Sequence, residues 1–121
     1  MTSAQRVTNG LRHSVYGIME ETLGNMRKSL QYLRSKETFN SRRLEILASI
    51  KDYLKNLARF PEDEFCMAEL LRWKELQGRI AAISDINKHQ ELNEFLSPVL
   101  ATSLQEVTTR RKTLREALGL K

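Results

Sequence analysis

The side chains that could carry acid–base, nucleophilic or metal chemistry in this 121-residue chain are two histidines, one cysteine and fifteen carboxylates. Their spacing gives them little to work with. His13 and His89 fall in neither His-x-x-x-His nor Glu-x-x-His spacing, so no helical face offers a metal two imidazoles or a carboxylate–imidazole pair. Cys66 has no second cysteine to complete a metal site, and on an apolar helical face it reads as a small buried hydrophobe. Glu62-Asp63-Glu64 is a carboxylate run of the kind the positive end of a helix dipole favours. Glu91 and Glu94 make a single pair, short of the several carboxylates a di-iron bundle requires. Phosphate-loop, dinucleotide, zinc-protease and serine-hydrolase signatures are all missing from the sequence. The expectation is a non-enzymatic protein with no catalytic residue, no metal, no cofactor and no small-molecule substrate.

The densest charge cluster is Arg27, Lys28, Arg34, Lys36, Arg42 and Arg43, broken by Glu37 and interleaved with Tyr32 and Phe39. Cations straddling a helix end could converge on phosphates, and two rings beside them could stack on bases, so RNA or DNA binding through residues 27–43 is one candidate activity. Solvated faces of two Lys/Arg-rich helices, with Tyr32 and Phe39 in the core or at its rim, account for the same residues. Residues 1–60 hold 11 basic and 5 acidic side chains, a balance of +6, against 9 and 10 in residues 61–121, a balance of −1. Arg110, Arg111, Lys112 and Arg115 form a second cluster near a helix C-terminus, where the dipole favours cations.

Amphipathic helices must position these groups. The first runs over residues 4–35 on a stripe of Val7, Leu11, Val15, Ile18, Thr22, Met26, Leu30 and Leu33, widened by Met19 and Leu23 and capped by Thr2 or Ser3. Gly10, Gly17 and Gly24 repeat every seven residues, which either admits a close neighbour or merely weakens the helix. The second helix starts near Leu44 after caps at Thr38, Asn40 or Ser41. It carries Leu44, Leu47, Ile50, Leu54, Leu57 and Ala58, with Ile46, Tyr53 and Phe60 extending the arc and Lys51, Asp52, Lys55 and Asn56 toward solvent.

Phe60-Pro61 closes that helix, because proline lacks an N–H and pushes its predecessor out of the α region, and a third helix opens at once on the acidic run. Cys66, Leu70, Trp73, Leu76, Ile80 and Ile83 make its stripe, and Glu75 and Arg79 are spaced for an ion pair. The period fades over residues 84–89. Ser97-Pro98 then marks either a new helix start or a kink. Beyond it Leu100, Leu104, Val107, Arg111, Leu114 and Leu118 step by four, three, four, three and four, a short heptad seam that could take a partner helix or dock on the chain itself, with Gly119 as its cap.

These elements predict one all-α domain over residues 1–121, an antiparallel bundle of three to four helices with the 44–86 hairpin at its centre and possible self-association through the C-terminal helix. A lone cysteine and no glycosylation sequon point to a reducing, cytoplasmic setting. No apolar run reaches membrane-spanning length. The acid-free, Arg- and Ser/Thr-containing first 19 residues leave mitochondrial targeting open. The expected role is protein–protein interaction, as a small regulatory, adaptor or assembly subunit whose partner is another protein or a second copy. Nucleic acid is the alternative partner.

Overall fold

The computed structural model describes residues 1–120, which form four α-helices and one 3-10 turn, with no strand among the described residues. Helix α1 spans Ser3–Leu30, α2 Phe39–Leu57, α3 Glu64–Ala82 and α4 His89–Leu118. Each start has a local cause. Thr2 caps α1 through a reciprocal box, its Oγ1 accepting from Gln5 N at 3.1 Å while its own N–H donates to Gln5 Oε1 at 2.8 Å. Asp63 caps α3 by accepting from Phe65 N and Cys66 N at 3.0 and 3.3 Å. Pro61 therefore ends the corner two residues before this cap, outside the first turn of α3. Gly119, at φ 72°, closes α4 in the left-handed conformation that glycine adopts without penalty.

Side-chain pairs fix the topology as up-down-up-down. Ser29 of α1 donates to Glu45 of α2 at 3.0 Å, Tyr53 of α2 to Glu69 of α3 at 2.7 Å, Trp73 of α3 to Ser103 of α4 at 3.0 Å, and Arg6 of α1 to the Leu118 carbonyl of α4 at 2.9 Å. The bundle and its antiparallel order agree with the sequence reading. Its centre does not, because α1 packs extensively on both α4 and α2, and the α2–α3 hairpin is one side of the bundle.

One core draws on all four helices, with Met19, Leu23 and Met26 from α1, Ile46, Ile50 and Tyr53 from α2, Cys66, Trp73 and Ile80 from α3, and Leu92, Leu96 and Val107 from α4. Burying each such side chain contributes about 1.5–3 kcal/mol. Several boundaries and faces differ from the expected ones. α1 stops at Leu30, and α2 begins at Phe39, whose ring is buried. Val7, Leu11 and Ile18 of the expected α1 stripe are exposed, while Tyr16 is core. On α2, Leu44 is exposed and Asn56 buried, which turns the core face toward Ile46, Ile50, Tyr53 and Leu57. α4 runs unbroken through Pro98, so Ser97-Pro98 starts no new helix. Arg79 forms no pair with Glu75; its guanidinium lies 4.0 Å from the Phe95 ring centroid.

Helix lengths differ in a way that shapes the surface. At 1.5 Å per residue, α1 and α4 are about 42 and 45 Å long, against about 28 Å for α2 and α3. The corner between α2 and α3 reaches only as far as Arg12 and Tyr16, where Arg12 Nη2 lies 3.4 Å from Glu62 and the Tyr16 hydroxyl donates to Asp63 at 3.3 Å. The acidic start of α3 is thus met by Arg12 of α1, and not by basic residues of α2 as antiparallel pairing of the hairpin suggests. Residues 3–13 of α1 and roughly 111–118 of α4 continue past the corner as a two-helix arm.

Candidate functional site

The basic stretch lies at the end of the bundle opposite the arm. Arg27 and Lys28 occupy the last turn of α1, Arg34 and Lys36 the following turn, and Arg42 and Arg43 the first turns of α2. Arg27, Lys28, Arg34 and Lys36 are exposed, with no carboxylate within 4.0 Å among the described residues. The other two are engaged. Arg42 covers the Tyr32 ring at 4.7 Å and bonds Glu45 at 3.0 Å; Arg43 donates to Asn40 Oδ1 at 3.0 Å. A hydrogen bond from Ser29, and then Arg42, hold the Glu45 carboxyl below its ordinary range. Phe39 is buried and unavailable for stacking on a base, whereas Tyr32 is 52% exposed with the Arg42 guanidinium over its ring.

The C-terminal seam turns inward. Leu100, Val107 and Leu118 are buried, and Leu104 and Leu114 pack partly buried against the core. Its charged member, Arg111, lies across Gly17 of α1, where an added Cβ would sit 3.0 Å from Nη2, and its Nη1 reaches Glu20 at 3.6 Å. Gly17 therefore makes room for an arginine side chain, whereas Gly10 and Gly24 face open space. The seam as a surface for a partner helix is corrected by this packing, since α1 of the same chain occupies it. Beside it, burial and then Arg111 and Arg115 lower the pKa of His13 from its ordinary 6.5, while Glu20 acts in the opposite sense.

A buried polar cluster lies among α2, α3 and α4. Glu69, 3% exposed, accepts at Oε2 from the Tyr53 hydroxyl at 2.7 Å, the Ser103 hydroxyl at 2.8 Å and Trp73 Nε1 at 3.1 Å, while its Oε1 lies 3.3 Å from Arg72. Burial and the adjoining carboxylate raise the pKa of Tyr53, so its hydroxyl keeps its proton. The cluster supplies a carboxylate with neutral donors and one cation, which satisfies it and registers three helices. The only sequence signal is that Glu69 precedes Trp73 by one turn. Cys66 is also fully buried, 3.6 Å from the Tyr16 hydroxyl, and burial raises its thiol pKa, which makes it a poor nucleophile.

The arm combines charge with exposed apolar surface. Val7 is 74% and Leu11 52% exposed, on an outward face of α1 that Ile18, 50% exposed, continues; Met1 and Leu120 are also exposed. A concavity of about 500 Å³ lined by Met1, Ala4, Gln5, Thr8, Asn9 and Arg12 lies along α1, and a second of about 250 Å³ between Arg12, Tyr16, Asp63, Arg110, Thr113 and Leu114 adjoins it. Residues 1–13 and 110–120 contain six Lys/Arg and one Glu, a balance of +5, equal to the net charge of the whole chain. Sequence reading missed this site because its halves are a hundred residues apart. No group of three or more metal-ligating side chains occurs among the described residues, and no helix is long and apolar enough to cross a membrane. No protein-family model, curated protein or solved structure matches the chain.

Proposed function

We propose that this chain is a non-enzymatic protein–protein interaction module, a small regulatory, adaptor or assembly subunit that binds through helical faces. The observation that supports the reading best is the exposed apolar line of Val7, Leu11 and Ile18 on α1, at 74%, 52% and 50% exposure, in a chain whose other long stripes are spent on its own core. Apolar side chains spaced along one face of a helix favour a partner that removes them from water, at roughly 25 cal/mol per Å². Fluorescence of an apolar dye such as ANS tests it: wild type enhances the signal, and Val7→Ser/Leu11→Ser, which touches no core residue, reduces it severalfold. Equal, weak signals from both proteins, with light scattering from a monodisperse monomer, would count against an interaction surface there.

Exposed Arg27, Lys28, Arg34 and Lys36 favour a second reading, a basic helical module that contacts RNA or DNA phosphates. Anisotropy with single- and double-stranded oligonucleotides separates it from the first. Phosphate binding predicts affinity falling steeply between about 50 and 200 mM salt and loss on Arg27→Glu/Lys28→Glu. Absence of binding at low salt rules it out.

A further inference from the structure

We infer that the recess between the α1–α2 connection and the start of α4 holds one phosphate–ribose unit of an RNA strand, and that its hydrogen-bond acceptors tell RNA from DNA. The inference rests on the phosphate reading of the basic end and names the strand.

The recess has a volume of about 240 Å³ and is lined by Arg34 from the α1–α2 connection and by His89, Gln90 and Asn93 from the first turns of α4. None of the four is acidic. Positions 89, 90 and 93 share one face of α4, since steps of three and four residues bring helical side chains together.

Each lining group has a hydrogen-bonding role left to fill. Arg34 is exposed and has no carboxylate within 4.0 Å among the described residues, so its guanidinium is free to donate. Asn93 accepts at Oδ1 from the Ser97 hydroxyl, which leaves its Nδ2 as a donor. His89 Nδ1 lies 2.9 Å from the Ile86 carbonyl, which can only accept, so the hydrogen of the neutral ring sits on Nδ1 and Nε2 keeps a lone pair. Gln90 donates through Nε2 to Glu94 Oε1 at 3.4 Å and keeps its Oε1 as an acceptor. Two donors therefore stand beside two acceptors.

That mixture decides the ligand. A phosphodiester offers acceptor oxygens alone, so it answers Arg34 and Asn93 but brings no hydrogen to His89 or Gln90. Ribose supplies one, because the 2′-hydroxyl beside each phosphate donates as well as accepts, whereas deoxyribose lacks it. A protein carboxylate brings acceptors only and fits half of the set. Exposed Arg27, Lys28 and Lys36 at the same end add charge for neighbouring phosphates without regard to the sugar.

Fluorescence anisotropy tests this at about 50 mM salt, with three labelled strands of about 12 nucleotides: oligouridylate, its deoxy counterpart and its 2′-O-methyl counterpart, which share base and charge. The 2′-O-methyl strand keeps the oxygen and loses the hydrogen. Oligouridylate should bind about fivefold or more tightly than the other two, the effect of one hydrogen bond. Gln90→Leu, a change at an exposed position, and His89→Phe should each shrink that ratio toward parity while leaving the deoxy strand's affinity unchanged. Arg34→Gln should weaken all three strands severalfold. Circular dichroism of each variant shows that it folds. Equal binding of the three strands, lost on Arg27→Glu/Lys28→Glu, would overturn the recess and leave the phosphate reading standing. A ribose preference that survives both Gln90→Leu and His89→Phe would also overturn it. Uridine 3′-monophosphate competing as strongly as the whole strand would overturn the strand in favour of a free ribonucleotide. No binding of any strand at low salt would overturn the inference together with the phosphate reading.

Discussion

Glu69 shows how much a single buried side chain can organise. It receives hydrogen bonds from Tyr53 of α2, Ser103 of α4 and Trp73 one turn along its own helix, and all three donors are themselves buried. Removing one partner from such a cluster strands the others without water, which costs about 1–3 kcal/mol for each group left unpaired. Glu69→Ala is therefore expected to destabilise the fold by about 3 kcal/mol or more, and Glu69→Gln, which keeps an acceptor oxygen, by less. Urea unfolding of the two variants checks the order, and equal losses would show that packing rather than hydrogen bonding dominates. His13 makes a prediction in pH. Burial, with Arg111 and Arg115 next, lowers its folded pKa below 6.5, so the unfolded chain binds the proton more readily. Stability contributed by keeping this ring neutral is complete above about pH 6.5 and is lost as pH falls through that value toward the folded pKa. Thermal unfolding between about pH 7.5 and pH 5 should show that decline in wild type and a smaller one in His13→Gln.

At the scale of elements, periodicity named all four helices but could not say what covers each face. Val7, Leu11 and Ile18 share their three- and four-residue spacing with Val15, yet only Val15 is buried, because the core face of α1 runs through Val15, Met19, Leu23 and Met26 and leaves the other three on the outward side. Thr2 and Gly119 were legible as caps, since capping is a property of local chemistry, whereas Asp63 read only as one of three carboxylates at a helix start. Pro98 was not. Its side chain is exposed and its missing N–H removes one hydrogen bond, a cost that the buried line of Leu92, Leu96, Leu100, Ser103 and Val107 on either side outweighs. Pro98→Ala is expected to restore the bond and raise stability by about 1–3 kcal/mol, read as a higher urea midpoint with unchanged slope. A loss of stability would mean that α4 depends on a bend there. The polar cluster was illegible for a different reason: Ser103 and Glu69 are ordinary surface residues by type, and only the crossing of α3 and α4 buries them.

For the molecule as a whole, the electrical divide in the sequence is redrawn by the fold. The early half of the chain carries the surplus, but antiparallel packing places Arg6 and Arg12 at the same end as Arg110, Arg111, Lys112 and Arg115, so that, with Glu116, one end of the bundle gathers a balance of +5 from both termini. Central to the account is the proposal that the exposed apolar line of Val7, Leu11 and Ile18 on α1 is the surface a partner covers. Residue-resolved amide hydrogen exchange tests this most directly, on the free chain and on the chain saturated with the apolar dye ANS. In the free chain, amides of Val7–Leu11 should open at a cost about 2 kcal/mol or more below that of Met19–Met26, and saturation should raise protection chiefly in residues 4–18. Protection that rises at residues 27–43 instead, or a free chain in which residues 4–12 are already as protected as the core, would contradict it.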